Sequence, residues 1–340
     1  MRLAPLLTVM TAALIGTAGV AAPTAGAAEA PQATPPWKLR GDLAVHDPAL
    51  IAGGPGENWY VFSTGEPAKG GGTIQVRSSP DGRTWSYAGT VWDAIPDWLK
   101  KKVPGVNNLW APEIHKRGGT YYLYYAASTW GHNRSVIALA TNTTLDPKNP
   151  NYKWVDKGEV FSSQPDDDYN AIDPGIIEDA AGTPWMAFGS YWSGIRMVKL
   201  QWPSGKVSSD DDEPLHIADR KASPNAVEAP YIVRHGGWYY LFTSWGQCCQ
   251  GVKSDYKIVV GRSQAVTGTY VDKEGRSLLE GGGTTLRSTQ GSSVGPGGQS
   301  VSRDIIAFHH YDANAGGAPR LVLQTLAWGD DGWPELTNPA

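Results

Sequence analysis

The chain is poor in the residues that build disulfide frameworks and metal clusters. Cys248 and Cys249 are the only cysteines among its 340 residues. Neighbouring cysteines cannot close a long loop, so a disulfide framework is excluded. The pair also lacks the spacing of structural zinc ligands. A disulfide between the two neighbours and a pair of buried thiols both remain open.

Basic clusters and several catalytic signature motifs are missing as well. The formal net charge is −4 and no run of Lys and Arg stands out, so neither nucleic acid nor an anionic membrane is an expected partner. The chain has no G-x-S-x-G elbow, no H-E-x-x-H pair and no Walker loop, which excludes the enzyme classes that these motifs mark. Helix-forming runs are scarce, while glycine (41) and proline (25) are abundant.

Long apolar runs are confined to the N-terminus. Arg2 precedes a mostly apolar stretch over residues 3–22, and small residues follow at 25–27. This order of charge, apolar core and small-residue exit predicts a secretory signal peptide over residues 1–27, and therefore a secreted, extracellular protein. A membrane anchor is the weaker alternative, because proline, glycine and threonine dilute the run. Residues 28–36 are predicted to be a flexible segment.

A repeated unit is present in the rest of the chain. Four times an acidic residue lies within two positions of a proline, and an aromatic strand follows. The acid–proline pairs are Asp47-Pro48, Pro112-Glu113, Asp173-Pro174 and Glu228-Ala229-Pro230. The aromatic strands begin at Trp59, Tyr121, Trp185, Trp238 and near Ile306, so the fifth lacks an acid–proline opening. Self-similarity at a period of roughly 50 to 70 residues indicates repeated supersecondary units.

Each unit continues with a turn and further strands of alternating residues, which is typical of antiparallel sheets. Five such units predict an all-β fold, a five-bladed β-propeller over residues 37–340 with its active site at the central channel. A two-sheet sandwich would explain the strands but not the fivefold period.

Acids at the start of the first strand of each blade would point to one axis. Asp47, Asp173 and Glu228 are interpreted as lying at equivalent repeat positions, whereas Glu113 follows its proline and is interpreted as structural. Each acid alone is more simply a turn residue, since Asp before Pro commonly starts turns. Together, three convergent carboxylates suggest glycoside hydrolysis, which needs an acid and a base flanking the bond. The acid must keep its proton, so its pKa must be raised.

These residues belong to segments that resemble glycoside hydrolase family 43, specifically its arabinanase branch. The resemblance covers the chain from about residue 37 onward. The segments that carry it are Val45-His46-Asp47-Pro48, Leu109-Trp110-Ala111-Pro112-Glu113-Ile114, Asn170-Ala171-Ile172-Asp173-Pro174, Gly189-Ser190-Tyr191-Trp192-Ser193-Gly194-Ile195-Arg196, Val227-Glu228-Ala229-Pro230-Tyr231, and Ser244-Trp245-Gly246-Gln247-Cys248-Cys249-Gln250-Gly251 with Tyr256-Lys257-Ile258.

The resemblance implies an enzyme that hydrolyses α-1,5-linked arabinan or arabino-oligosaccharides with inversion. A monomer is the expected state of the chain. Asp47 is then the general base, Glu228 the general acid, and Asp173 the carboxylate that tunes and orients Glu228. The residues implied to contact substrate are Gly131, Asn170, Ala171, Ile172, Ser190, Tyr191 and Trp192. Trp110 and Trp245 are either stacking platforms for sugar or rings packed between blades.

The fifth unit departs from the family in one respect. Arabinanases of this type often carry His in a Gly-Pro-Gly-His turn near a calcium ion at the channel axis, and Gly298 stands at that position here. A calcium ion at the axis is therefore in doubt, and the metal ligands are unknown. The chemistry itself requires no cofactor. His309 is expected to serve the fold or the channel wall.

Three functions remain open. The first is endo-acting arabinan hydrolysis. The second keeps the fold and chemistry in an exo-acting arabinanase, an arabinofuranosidase or a xylosidase, and depends on the loops at residues 93–108 and 281–298. The third is a glycan-binding propeller without catalysis, which is disfavoured because the acids differ between the repeats.

Overall fold

The computed structural model describes residues 37–209 and 213–337. The predicted signal peptide at residues 1–27 and the flexible segment at residues 28–36 lie outside these described residues. Nearly all regular structure in the described part consists of strands, which form five sheets of four or five strands each, antiparallel except for one short parallel pair. We call these sheets blades one to five in chain order.

Each blade takes consecutive strands of the chain. Blade one has β1 (Arg40–Gly41), β2 (Ala49–Ile51), β3 (Trp59–Ser63), β4 (Gln75–Ser79) and β5 (Thr84–Thr90). Helix α1 (Asp97–Lys102) precedes blade two, which has β6 (Leu109–Arg117), β7 (Thr120–Ala127), β8 (Ser135–Asn142) and β9 (Val155–Ser163). Blade three has β10 (Gly175–Glu178), β11 (Pro184–Phe188), β12 (Ile195–Gln201), β13 (Lys206–Val207) and β14 (Leu215–Ala218).

The last two blades have four strands each. Blade four has β15 (Val227–His235), β16 (Trp238–Trp245), β17 (Lys257–Ser263) and β18 (Thr284–Arg287). Blade five has β19 (Ser293–Ser302), β20 (Ile305–Asp312), β21 (Ala318–Trp328) and β22 (Pro334–Thr337). Single 3₁₀ turns lie at Gly70–Gly72, Gly251–Lys253, Leu278–Glu280 and Ala313–Ala315.

The first strands of the blades form a closed ring. Strand β2 contacts β6, β6 contacts β10, β10 contacts β15, β15 contacts β19, and β19 returns to β2. This arrangement confirms the predicted five-bladed propeller. Apolar residues of neighbouring blades pack between the sheets, as where Phe62 and Trp154 meet edge to face with ring centroids 5.6 Å apart.

In each blade a left-handed residue lies either just before the ring strand or at an irregularity within it, and these residues fix the true phase of the repeat. They are Asp47, Ala111, Asp173, Ala229 and Gly298, with φ of 51°, 41°, 58°, 52° and 61°. Non-glycine residues rarely adopt this conformation, so its recurrence marks one shared turn.

The shared turn corrects the phase assigned from the sequence. Asp47 and Asp173 occupy the turn position itself, whereas Glu228 lies one residue before it and Glu113 two residues after it. The acid–proline spacing concealed this offset because Glu228 is separated from its proline by Ala229. The fifth unit is not without its turn either, since Gly298 takes the equivalent place.

The N-terminal segment of the described chain joins the last blade to the first. Strand β1 pairs in parallel with β5 at the outer edge of blade one. Trp37 donates its backbone N–H to Leu323 O at 3.0 Å, and Leu321 donates to Leu43 O at 2.9 Å. Residues 37–43 therefore bridge blade five and blade one. No helix in the described ranges is long and apolar enough to cross a membrane.

Candidate active site

A cavity of about 1000 Å³ lies at the ring axis and contains the three predicted catalytic acids, Asp47, Asp173 and Glu228. Every blade contributes to its wall. Examples in blade order are His46, Trp110, Asn170, Gln247 and Tyr311. A concave site with few convergent charged groups is the usual form of a small-molecule or glycan site.

Asp47 is held in place by hydrogen bonds with three side chains. Its Oδ2 atom accepts a hydrogen bond of 2.6 Å from the hydroxyl of Thr64 and lies 2.7 Å from His46 Nδ1. Because an ionised carboxylate only accepts hydrogen bonds, Nδ1 carries the proton of this contact. The backbone N–H of Asp47 donates to Nδ1 of His309 at 3.1 Å. The acid is thus fixed by groups from blades one and five.

The surroundings of Asp47 favour its charged form. Burial alone would raise the pKa of this carboxyl group, but the nearby imidazoles of His46 and His309 and the hydrogen bonds from His46 and Thr64 outweigh it. The pKa of Asp47 is therefore held well below its usual range. An ionised carboxylate with fixed geometry is what a general base requires.

Glu228 is more enclosed than Asp47, with 7% of its surface exposed against 20% of the Asp47 side chain, and it has different partners. Its Oε2 atom accepts a hydrogen bond from Ser190 Oγ and its Oε1 atom accepts one from the hydroxyl of Tyr256, both at 2.6 Å. Burial raises the pKa of Glu228, the two hydrogen bonds oppose this effect, and the charge of Asp47 adds to it. The net direction is upward, so Glu228 tends to keep its proton. A buried carboxylic acid with a raised pKa suits a general acid.

Asp173 connects the other two acids. Its Oδ2 atom accepts a 3.1 Å hydrogen bond from the backbone N–H of Ala229, the residue that follows Glu228. Burial raises the pKa of Asp173 well above its ordinary value, and the charges of Glu228 and Asp47 raise it further. Asp173 thus fixes the main chain beside Glu228, while three carboxyl groups in one cavity cannot all ionise freely.

Most residues predicted to contact substrate do line the cavity. Those brought together there are Gly131, Asn170, Ile172, Ser190, Tyr191, Trp192 and Trp110. Tyr191 and Trp192 are consecutive left-handed residues with φ of 55° and 38°. Such strain clusters at functional sites because the surrounding structure imposes it. Trp110 is oriented by a 2.9 Å hydrogen bond from its Nε1 to Asn108 Oδ1.

Two predicted contact residues lie elsewhere. Ala171 is completely buried and donates its backbone N–H to Ser163 Oγ, so it supports the loop from behind. Trp245 packs against the apolar cluster between blades three and four, with the guanidinium carbon of Arg220 5.5 Å and the ammonium of Lys257 5.8 Å from its ring centre. Of the two possibilities for Trp245, the structure shows the ring packed within the fold.

Sequence reasoning did not assign several residues that complete the site. Tyr256 and His46 lie in segments that carried the family resemblance, but nothing in their spacing indicated which acid each would contact. Thr64 follows an aromatic strand and had no distinguishing signal. Trp130 lines the cavity with 74% of its surface exposed.

The two cysteines also lie at the cavity. Cys248 and Cys249 are joined in a disulfide, which decides between the two states that the sequence left open. Both residues line the cavity wall. Cys249 is exposed rather than buried.

Glu113 serves the ring rather than the cavity. It is 2% exposed, and its carboxyl group contacts the backbone N–H groups of Ile114 and Ile176 and the hydroxyl of Tyr231, which itself donates to Val301 O at 2.9 Å. Burial raises its pKa to about 8 despite these contacts. A smaller space of about 30 Å³, bounded by Glu113 and Gln299 among others, adjoins it at the axis. Glu113 therefore links blades two, three and four.

The axial residues do not fit a calcium ion. Ligand atoms of His46, Asp47 and His309 lie within 4.8 Å of one another. Calcium takes six to eight oxygen ligands, whereas this group offers two rings and one carboxylate. Nδ1 of His309 already accepts the Asp47 N–H, and both nitrogens of His46 contact neighbours. Nε2 of His309 is the one nitrogen of these two rings without a hydrogen-bond partner, and in the neutral ring it carries the proton because Nδ1 accepts.

Gly298 shows why a histidine is not accommodated at its position. A Cβ atom placed there would lie 2.5 Å from Asp47 Oδ1 and 2.9 Å from His309 Nδ1. Real Cβ atoms do not approach other atoms so closely, so the space is already filled by Asp47 and His309. His309 is completely buried and stacks on His46 with ring centroids 3.8 Å apart. It forms part of the wall that holds Asp47.

Comparison with known proteins places this geometry in a family. The sequence profile described as "Glycosyl hydrolases family 43" matches residues 42–334. The chain belongs to glycosyl hydrolase family 43. It is therefore a glycosidase, as the three convergent acids predicted.

Individual relatives of this family 43 chain are similar over most of their length. An extracellular endo-α-(1→5)-L-arabinanase of Bacillus subtilis is 40% identical over 304 residues, which are 88% of this chain and 89% of the relative. An extracellular exo-α-(1→5)-L-arabinofuranosidase of Cellvibrio japonicus is 39% identical over 306 residues, or 86% of each chain. The structure of a Cellvibrio cellulosa α-L-arabinanase complexed with arabinohexaose superposes with a TM-score of 0.79 at 39% identity, covering 86% of this chain and 95% of that one.

Proposed function

We propose that this family 43 enzyme hydrolyses α-1,5-L-arabinofuranosidic bonds in arabinan and arabino-oligosaccharides with inversion at the anomeric carbon. The observation that carries the proposal is that two carboxyl groups in one cavity have pKa values shifted in opposite directions, Asp47 downward and Glu228 upward. Relatives that act on α-(1→5)-L-arabinan or on its oligosaccharides support the choice of substrate.

In the proposed reaction, Asp47 removes a proton from a water molecule as that water attacks the anomeric carbon. Glu228 donates its proton to the departing glycosidic oxygen as the bond to that oxygen breaks. The attack occurs on the face opposite the leaving group, so the configuration inverts in a single step. Asp47 then carries a proton and Glu228 has lost one, and exchange with solvent restores both.

The neighbours of each acid support its role. The hydroxyl of Thr64 and Nδ1 of His46 occupy Oδ2 of Asp47 and stabilise the charge that a base needs at rest. Ser190 and Tyr256 orient both oxygens of Glu228. They also limit the rise of its pKa, so the proton can still be released to the substrate. Asp173 positions the backbone next to Glu228.

Within this reaction we favour endo action. Side chains from every blade line the cavity, which suits a polymer that continues on both sides of the broken bond. Exo action is the second candidate, because a relative at 39% identity is named as an exo-acting arabinofuranosidase.

A time course on linear 1,5-arabinan, followed by chromatography and by proton NMR of the first product, tests both statements. Mixed oligosaccharides from the start and a new reducing end of inverted configuration are expected. A single short product from the first minutes would replace endo with exo action. A product that keeps the configuration of the substrate would contradict inversion.

We further propose that the protein is secreted and acts as a monomer. The support is the signal-like sequence at residues 1–27 and the extracellular relatives. N-terminal sequencing of protein from the culture medium is expected to begin near residue 28, and sedimentation is expected to give the mass of one chain. An N-terminus that retains Arg2, or a dimeric mass, would contradict the corresponding statement.

A further inference from the structure

The disulfide between Cys248 and Cys249 is connected to the general base by an unbroken series of contacts. The backbone N–H of Cys249 donates to the hydroxyl oxygen of Tyr311 at 2.6 Å. The same oxygen lies 2.8 Å from Nε2 of His46, whose Nδ1 lies 2.7 Å from Oδ2 of Asp47. Sγ of Cys249 is itself 3.8 Å from Nε2 of His46. Blades four, five and one thus meet at this point.

The backbone of Cys249 has the conformation that this contact requires. Its φ is 66°, in the left-handed region that non-glycine residues rarely adopt. The bond between neighbouring side chains restricts the intervening peptide, and the N–H group of this peptide is the one that donates to Tyr311. Other anchors of the loop, such as the hydrogen bond from Gln250 N to Ser254 Oγ at 3.0 Å, lie beyond this peptide.

We propose that the Cys248–Cys249 disulfide is a positioning element for catalysis, which holds Tyr311 and through it the His46 ring in the orientation that keeps Asp47 an effective base. This inference rests on the proposed role of Asp47. The sulfur atoms take no part in the bond cleavage. Their role is to fix one peptide at the wall of the cavity.

The electrostatic consequence follows from what surrounds Asp47. The titratable groups around Asp47 are the imidazoles of His46 and His309 and the carboxyl groups of Glu228 and Asp173. His309 is buried, and burial and His46 lower its pKa well below the usual value, so it is neutral. The hydrogen-bonded ring of His46 is therefore the group most able to stabilise the charge of Asp47. If the ring turns away, the pKa of Asp47 rises.

Reduction provides a selective test, because the chain has no other cysteine. A trialkylphosphine and one water molecule convert the disulfide into two thiols and a phosphine oxide, so electrons, protons and oxygen balance. The proteins to compare are the oxidised enzyme, the reduced enzyme, the double variant C248A/C249A and Tyr311→Phe. Tyr124→Phe is the matched control, since its buried hydroxyl donates to Gly205 O away from the cavity.

The reduced enzyme, the double variant and Tyr311→Phe are expected to share one change. In each, kcat on arabinan falls about tenfold, and the acidic limb of the kcat/KM profile, which reports the base in the free enzyme, moves up by about one pH unit. Thermal unfolding of each of these three proteins, measured under the same conditions, verifies that the fold is intact. Tyr124→Phe keeps the profile of the parent enzyme, and the phosphine has no effect on C248A/C249A.

Whether the two changes have additive effects decides whether the disulfide acts through Tyr311. Chemical reduction of the disulfide in the Tyr311→Phe variant is expected to lower kcat and shift the acidic limb little further, because groups in one series of contacts give non-additive effects. Independent, additive losses would overturn the inference, as would a reduced enzyme with unchanged kcat and an unchanged acidic limb. Asp47→Asn separates this outcome from a failure of the proposed function. If that variant is inactive while reduction changes nothing, only the positioning role is wrong, and if it remains active, the assignment of the base is wrong.

Discussion

The two sides of the active-site cavity show how one environment can produce an acid and a base. Asp47 and Glu228 are both removed from bulk water, and burial alone would raise the pKa of each. At Asp47 the imidazole of His46, through its charge and its hydrogen bond, reverses the direction. Glu228 accepts hydrogen bonds from two hydroxyl groups, and neither these nor the more weakly acting His46 outweighs burial and the like charge of Asp47. The type of partner therefore distinguishes the two roles.

The largest expected effect is the loss of activity on removal of either acid, and a substrate with a good leaving group should distinguish the two variants. Glu228→Gln removes the proton donor and is expected to lower kcat on arabinan by a factor of about 10³ or more, given the importance of proton donation to a poor leaving group. An aryl α-L-arabinofuranoside whose phenolate leaves without a proton should recover much of the rate. Asp47→Asn should be inactive on both substrates. The comparison fails if the two variants respond alike to the aryl substrate.

Glu113 tests how burial alone affects a carboxyl group, because it takes no part in the proposed reaction. Its folded pKa of about 8 exceeds its ordinary value of 4.5, so between these pH values the folded state binds more protons than the unfolded state. Stability from this group is therefore fully present below about pH 4.5 and is lost as pH rises through 8, with a slope of up to about 1.4 kcal/mol per pH unit. Glu113→Gln should lose this slope.

Thermal unfolding of Glu113→Gln and its parent from pH 4 to 9 measures the difference. Glu178→Gln is the control. Burial opposes the shift there, but hydrogen bonds from Arg117 and His115 lower the pKa of Glu178, so its contribution is present above the unfolded pKa and is lost as pH falls. Parallel curves for Glu113→Gln and the parent would show that Glu113 is not a protonated link in the ring.

Removal of one hydroxyl from each side of the cavity should move opposite limbs of the pH profile. Thr64→Val takes a hydrogen bond from Asp47, raises its pKa and moves the acidic limb upward, which narrows the profile. Tyr256→Phe takes one from Glu228, raises its pKa and moves the alkaline limb upward, which widens the profile. Each shift is expected to be about one pH unit or less. Kinetics of kcat/KM over the full pH range measure both shifts, and movement of the same limb in both variants would contradict the assignments.

The smallest effect concerns the rim of the cavity. Trp130 is 74% exposed there, and aromatic contacts of this kind contribute about 0.5 to 1.5 kcal/mol. Trp130→Ala is therefore expected to raise KM for arabinan by roughly two- to tenfold with little change in kcat. Tyr87→Ala, at an exposed ring outside the cavity, is the matched control. An unchanged KM would show that the Trp130 ring does not contact substrate.

The blades were predictable because their signal is local. Aromatic strands such as Trp238–Trp245 alternate and recur at a steady period, which identifies antiparallel blades without any knowledge of packing. Strand Ser293–Ser302 was missed because glycine, proline and glutamine disguise it. It is a strand because it completes the ring between its neighbours, and that is a tertiary effect.

The acids were predictable, but their differences were not. The repeat located Asp47 and Glu228, although it placed them in one phase when they are one residue apart. Their partners Thr64 and Tyr256 come from other strands or blades, and no spacing rule links them to the acids. The departure at Gly298 was visible in the sequence, but its cause, the space occupied by His309, required the structure.

The bridge formed by residues 37–43 bears on the order in which the ring assembles. Trp37 meets Leu323 almost a whole chain length away, so this contact closes a very long loop and carries a large entropy cost. Contacts of such long range tend to form late in folding. We expect closure of the seam between blades five and one to be the last folding step. Pulse-labelled hydrogen exchange should then show the amides of Trp37 and Leu321 gaining protection after the central strands of blades two and four.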